Sequence, residues 1–367
     1  MTLSQKDICN SKQYDTKQDK IVSLVLFFDG ANYTKSNKVP LHAFFSTISE
    51  LPPLLRHSTR NIITHSLWTG STPDFNIFFS RYNNELDNLL KVGIFIESLN
   101  LQIKVKCYVF IADAPERALV LNMHKFNGKY GCIMCMQEGG ENVNKGSRGN
   151  NLKFTYKPNE MFARTEEKYL QQAHQSQIHN ITVEGIKGPT YLSKLLPLPT
   201  STIIDYMHAS LLGTTKHLLS MWLSIKNQKT EFYLGSKINS IDKILIQVKY
   251  PIEFSRYQRS ISENLNNFKA YEYRNFLFYA GMPILKYFLP TTHYNHFVQY
   301  VIFMRLLCDT NCQSKFILLA YDVIVEYVKQ FEVLYGQENM SFNLHSHLHF
   351  PRQVQRYKSN KFQLLLL

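Results

Sequence analysis

Residues 21–30 read IVSLVLFFDG, a near-continuous apolar run rich in β-branched residues and closed by Asp29-Gly30. A run without polar alternation suits a strand buried on both faces, at the centre of a sheet. Residues 101–112, LQIKVKCYVFIA, alternate first and then turn wholly apolar, as a strand entering a core does. That run ends at Asp113-Ala114-Pro115. Both expected strands therefore stop at an aspartate, and in α/β sheets sites are built at the carboxyl ends of strands. Two carboxylates gathered there repel, and a divalent cation relieves the repulsion. Oxygen ligands of this kind suit Mg²⁺ or Mn²⁺. A pair of such ions can activate a water or a 3′-hydroxyl and stabilise the leaving oxygen of a phosphodiester. Asp-Gly and Asp-Ala-Pro are also ordinary turn sequences, so turn formation stands as the alternative role for each aspartate.

Outward from these strands the pattern is mixed. Residues 61–68 (NIITHSLW) read as a further strand. Residues 75–99 have helical spacing, with Phe78, Tyr82, Leu86, Leu89 and Leu90 on one face. A helix is expected from Arg117 to His124. Residues 127–150 are rich in Gly and Asn, and 151–200 are polar with few apolar runs, as in an excursion from a core. From about residue 203 the chain turns helical, with candidates at 204–225, 262–289, 298–307 and 316–335. In the last, Leu319, Val323, Tyr327 and Phe331 share a face and Gly336 stops the helix. The expected organisation is a disordered arm (1–20), the first part of a catalytic core (21–125), an insertion carrying a Cys-x-x-Cys pair (126–200), and a helical region completing the core (201–367). The abrupt LLLL at 364–367 reads as a truncated or shifted end.

At 44% apolar residues and 13% aromatics, the 367-residue chain can bury a sizeable core. Its formal charge of +13 favours a polyanionic partner, of which nucleic acid is the commonest, although a basic solvated surface gives the same sum. Six cysteines are too sparse for a disulfide framework in a chain of this length. Cys9 and Cys107 stand alone, and Cys308 and Cys312 read as structural. The N-terminal 20 residues lack the apolar centre of a signal peptide. No stretch approaches ~18 apolar residues without a charge, so no membrane partner is expected. Nucleus or cytoplasm follows by elimination.

Cys132-Ile-Met-Cys135 follows Asn127-Gly128-Lys129-Tyr130-Gly131. A lone Cys-x-x-Cys is half a zinc site and needs two further ligands. Candidates are Asp205 and His208 in Asp-Tyr-Met-His, then His217; two buried thiols in a tight turn are the alternative. His345, His347 and His349 alternate, which on a strand would put all three on one face.

Eight stretches together carry a resemblance. They are LVLFFDGANYTKSN, SELPPLLR with HSLWTGSTPDFN, ADAPERALVLNMHKFNGKYGCIMC, GIKGPTYLSKL, DYMHASLLGTTKHLLSMW, PIEFSRYQRSISENLNNFKAYEYRNFLFYAGMPILKYFL and FNLHSHLHFPRQVQRY. In this order, and over most of residues 21–357, the chain resembles the transposases of the CACTA (En/Spm) group and their animal relatives, which include domesticated and decayed copies.

The resemblance implies an α+β fold: an RNase H-like mixed sheet, a zinc-stabilised insertion and a helical C-terminal region. It implies a DDE core of three acids binding two Mg²⁺ or Mn²⁺ ions, with Asp29 first, Asp113 second and Glu272, in FKAYEYRNFLFYAG, third. A structural helix glutamate paired with Lys269 or Arg274 is the other reading of Glu272. The family continues past FNLHSHLHF with further acidic residues, so the third acid can also lie beyond this chain. Cys132, Cys135, Asp205 and His208 match the Cys-x-x-Cys and Cys/Asp-x-x-His strings shared with related transposases and the V(D)J recombinase, where the Cys pair and later histidines hold structural zinc. His345 and His349 are expected to be structural or DNA-proximal, not a new metal site. Lys153, Lys157, Lys187, Lys194, Arg352, Arg356, Lys358 and Lys361 are of the type that meets phosphates, or are a solvated face. The implied activity is metal-dependent DNA cleavage and strand transfer in the nucleus, with DNA as partner and a homo-oligomer left open. The alternative is a catalytically inactive domesticated relic that binds DNA or protein. With about 20 polar residues before the first strand, the expectation is that the chain is incomplete and does not transpose on its own.

Overall fold

The computed structural model describes residues 20–32, 39–140, 152–251, 254, 257–309 and 314–357. Residues 1–19 of the expected arm, Cys9, Cys312, Lys358, Lys361 and the 364–367 run lie outside them. The protein is a mixed α+β structure with a mixed parallel and antiparallel sheet and a helical C-terminal region. It divides into two compact units. One comprises Met1–Gly140, Lys157–Asp205 and Arg356–Leu364; the other comprises Glu141–Tyr156, Tyr206–Gln355 and Leu365–Leu367.

The first unit is built on the sheet. β1 (Ile21–Asn32) pairs antiparallel with β2 (Pro40–Ile48), which pairs antiparallel with β3 (Ile63–Thr69). On its other side β1 runs parallel to β5 (Leu101–Ala112). The far edge of β5 carries the short antiparallel β4 (Ile94–Ile96) near its start and the parallel β6 (Thr202–Ile204) near its end. Leu24, Leu26 and Phe28 face a core shared with Phe44, Phe78 and Phe79, while Ser23 and Val25 are buried on the opposite face. Burial on both faces is why 21–28 reads as one apolar run.

The helix expected over 75–99 is α1 (Phe75–Val92), and it buries Phe78 and Leu86 as its spacing predicts. It stops early because Gly93 takes φ +78, and a Cβ there would come within 2.3 Å of the Ile103 carbonyl oxygen. Only glycine accepts both conditions. β2 passes unnoticed in the sequence because its alternation is weak. α2 (Ala114–Val120) begins at Ala114, three residues before the expected start, and ends at Val120, short of the expected His124. α3 (Glu166–His179) lies in the stretch that reads as polar excursion. Its buried face is Tyr169, Gln172, Ala173 and Ser176, which leaves almost no hydrophobic period to see.

The second unit is helical. A π-helix, Met207–Thr215, runs directly into α4 (Lys216–Leu223). α5 (Ile238–Leu245) and α6 (Ala270–Asn275) follow. The long α7 (Thr291–Cys308) and α8 (Ser314–Tyr335) pack through stacked rings: His296 on Tyr327 at 4.1 Å between centroids, and Tyr300 on Tyr327 at 5.2 Å. α9 (Phe342–Ser346), a 3-10 turn at His347–His349 and α10 (Phe350–Tyr357) close the described chain. Among the described residues no helix is long and apolar enough to cross a membrane.

Candidate functional site

The strand register decides where the aspartates lie. The last paired residues of β1 and β5 are Phe27 and Ile111, so Asp29 and Asp113, each two residues on, fall level with one another on adjacent parallel strands. The last paired residues of β5 and β6 are Ala112 and Ile204, which puts Asp205 level with Asp113 on the other side. Asp113 and Asp205 directly follow the last residues of β5 and β6, whereas β1 does not stop at Asp29 as its sequence suggests: it runs on to Asn32 against β2, and only its parallel pairing with β5 ends near Asp29. Asp29 is exposed, while Asp113 and Asp205 are half-buried. Asp113 also caps α2, its Oδ1 accepting from the Glu116 amide at 2.9 Å. The fully buried Arg117, one turn further on, lies in the field of Asp113, Asp205 and Cys132; burial lowers its pKa and these groups oppose the fall.

Glu116 extends this acidic edge. Its carboxylate reaches His42 on β2, with Nδ1 3.3 Å from Oε2 and both side chains nearly buried. His42 is the register partner of Gly30. A Cβ on Gly30 would meet Glu116 Oε1 at 2.6 Å, so the glycine after Asp29 leaves room for that carboxylate. Burial pushes the Glu116 carboxyl up, His42 pulls it down, and the charges of Asp113 and Asp29 add to the rise. Like charge has accumulated at this edge, which is the condition a cation relieves.

Two buried pairs are of the metal-ligand type, each within its own unit. Cys132 and Cys135 lie in a loop of the sheet unit and make half a zinc site. In the helical unit His345 and His349 are four apart and share one helical face, with Nε2 atoms 3.2 Å apart. Two imidazole nitrogens on one tetrahedral zinc stand about 3.3 Å apart, so this pair has the spacing of two ligands. The loop bearing the cysteines is pinned by Met136 N–H to the Phe162 carbonyl at 2.9 Å and Arg164 N–H to the Met134 carbonyl at 3.0 Å. The buried Arg164 guanidinium donates to the Cys132 carbonyl at 3.3 Å. Burial lowers its pKa, and the charges of Cys132 and Cys135 oppose the fall. Without metal the Cys135 thiol is pushed up, first by its hydrogen bond with Cys132 and then by burial.

Of the sequence-derived ligands, Cys132 and Cys135 share one buried loop. Asp205 ends β6 beside Asp113, and His208 sits half-buried on the π-helix. Burial lowers the pKa of His217, whose ring stacks on Phe331. The pairing of His345 with His349 is not the alternation read from the sequence. Ser341 caps α9, its side chain accepting from the Leu344 amide at 3.2 Å, and so makes the His-x-His-x-His stretch helical. On a helix the spacing that matters is i, i+4, not i, i+2.

Glu272, the expected third acid, is the third residue of α6 and fully buried. Arg259 donates from Nε to Oε1 at 2.8 Å and from Nη2 to Oε2 at 2.6 Å, and the Lys269 amide donates to Oε2 at 2.8 Å. Burial raises its carboxyl pKa, but the Arg259 contact and the backbone donors outweigh burial and hold it below its usual value. Its partner is Arg259, not the side chain of Lys269 or Arg274. No protein-family model matches the sequence, and no curated protein matches it.

Proposed function

We propose that the sheet unit is an RNase H-like catalytic core of the transposase kind, acting on DNA phosphodiesters through divalent metal ions. The observation that carries the proposal is the level placement of Asp29 and Asp113 where the parallel pairing of β1 with β5 ends. The order of the sheet supports it too: an antiparallel β3-β2-β1 followed by parallel β5 and β6. Mg²⁺ or Mn²⁺ bound there would activate a water or a 3′-hydroxyl toward the phosphodiester. Asp29 and Asp113 would hold it, with Asp205 as a third carboxylate on the same edge. Gly30 and His42 keep Glu116 against the site, and Arg117 supplies a fixed counter-charge behind Asp113 and Asp205. The net basic charge suits a DNA partner. The Cys132–Cys135 pair and the His345–His349 pair are each of the type that would hold structural zinc.

Glu272 can take the part of third acid only by letting go of Arg259. That pairing favours a second reading, a relic that keeps the fold and the zinc site and binds DNA without cutting it. The test is Mn²⁺-dependent nicking of duplex DNA by the purified chain, with Asp113→Asn beside it. Nicking that the substitution abolishes supports the first reading. Folded protein that binds DNA and never nicks it supports the second.

A further inference from the structure

The face of the sheet turned away from the Phe44–Phe78–Phe79 core carries Val25, Phe27 and Asp29, alternate residues of β1. The strand register lays this face out in rows. Ile111, Phe27, Phe45 and Thr64 stand side by side on β5, β1, β2 and β3. The next row toward the carboxyl end of β1 holds Asp29, Ala43 and Leu67. Phe27 and Phe45 stack on each other, with ring centroids 5.2 Å apart and planes 9° from parallel. Both rings are half-buried, Ala43 offers only a methyl group, and Leu67 is 60% exposed.

In the other direction the face is closed: Val25 and its partner Thr47 are buried, and so are Ser23 and Ser49 below them. The apolar face is therefore open only in the rows that adjoin Asp29. Successive rows on one face of a strand are two residues, or about 7 Å, apart. That is within the span of one nucleotide. A phosphodiester held by a cation at Asp29 and Asp113 therefore has its adjoining base within reach of the ring pair. A base inside a duplex has both faces covered by its neighbours, so it must leave the stack to lie on a protein ring. Every base has a π-face, so two hydrocarbon rings select an unpaired base without selecting which one. Charge points to the same occupant, because a chain of net charge +13 with a cation at its aspartates complements a polyanion.

We infer that Phe27 and Phe45 form a stacking floor for an unpaired nucleobase beside the phosphodiester held at Asp29 and Asp113. The inference rests on the DNA-cleaving reading of that site and names the form of its substrate: DNA that is locally unpaired at the cut. Phe45 is the ring to test, because it lies one strand away from the metal-binding row and Phe27 shares a strand with Asp29. Stacking of one base on a protein ring commonly contributes about 1–3 kcal/mol, so loss of the ring should weaken binding of an unpaired site at least roughly fivefold.

The experiment measures binding of the full chain to two DNA duplexes with Ca²⁺ present: one with a single unpaired 2-aminopurine, the other with the same base fully paired. Wild type is expected to bind the unpaired duplex more tightly and to quench its 2-aminopurine fluorescence, as stacking on a ring does. F45A should lose the quench and at least roughly fivefold in affinity for the unpaired duplex, while binding the paired duplex within about twofold of wild type. F45W, which keeps a ring, should retain both signals. F162A removes an aromatic that is 70% exposed elsewhere on the same unit and should behave as wild type. Wild-type quench and preference in folded F45A overturn the inference, as does a loss in F162A equal to that in F45A. If F45A does not fold, F45L keeps the apolar volume without the ring and should lose the quench; quench equal to wild type there also overturns it. Wild type that nicks DNA with Mn²⁺ but binds both duplexes equally and without quench overturns the stacking floor and leaves the cleavage reading standing. Wild type that binds neither duplex removes the DNA reading itself, and the inference with it.

Discussion

Asp113 and Glu272 do similar local work in different company. Each carboxylate accepts a backbone N–H at the start of a short helix, Asp113 from Glu116 and Glu272 from Lys269. Near Asp113 stand Asp29 and Asp205 on neighbouring strands and Glu116 one turn on, with the buried Arg117 as a counter-charge. Around Glu272 the charge is cancelled by a bidentate guanidinium. What a carboxylate can do is set by its counter-charge. The aspartate row is the place proposed for a cation, whereas the Arg259–Glu272 pair is a bidentate ion pair.

The largest expected effect breaks or secures the first half of that contrast. Asn caps a helix about as well as Asp, so Asp113→Asn should leave the melting temperature nearly unchanged. It should lower Mn²⁺-dependent nicking by roughly a thousandfold or more, measured on supercoiled DNA, because the ligand charge is gone. Nicking within a few-fold of wild type would place the chemistry elsewhere.

The helical unit's dependence on buried neutral groups gives the next effect. His296 stacks on Tyr327 and donates from Nε2 to the Tyr327 carbonyl at 2.9 Å, and burial lowers its pKa to about 4. The folded state then binds fewer protons than the unfolded state between pH about 6.5 and about 4, so stability present above that window is lost as pH falls through it. The expected loss is on the order of 2–3 kcal/mol. Thermal melts across the window, with and without chelator to separate metal release, should show a shallower slope for His296→Phe. An unchanged slope assigns the acid sensitivity to other groups.

Glu272→Gln keeps the shape and removes the charge. It should lower the melting temperature by roughly 5 °C while nicking changes less than about threefold. Nicking lost with the melting temperature intact would erase the contrast and make Glu272 an acid that leaves Arg259 to work.

The smallest effect concerns Gly30. Gly30→Ala drives a methyl against Glu116 and should cost about 1 kcal/mol in chemical denaturation. Adding Glu116→Ala should recover most of that loss. Additive losses would mean that the glycine serves the backbone and not the carboxylate.

Much of the sheet was legible because its cause is local. β1 and β5 are buried on both faces over most of their length, so their apolar runs are long, and the aspartates that close those runs are visible as interruptions, although β1 continues past Asp29 to Asn32. α3 and β2 were not legible because their buried faces are polar or weakly alternating. The helix over 75–99 was overextended because Gly93 reads as one weak breaker until the Ile103 carbonyl is seen to lie where its side chain would be.

The same division holds for the sites. By itself the sequence determined the two aspartates and the cysteine pair, since each is written within a few residues: an apolar run that is interrupted, a loop spaced for two thiols. Only the tertiary structure decided their company. It put Asp205 beside Asp113 through the register of β6, gave Glu272 to Arg259, and paired His345 with His349 on one helical face. The first of those choices joins residues far apart in the chain. The others depend on which way a helix faces once its other side is packed, which no local spacing encodes.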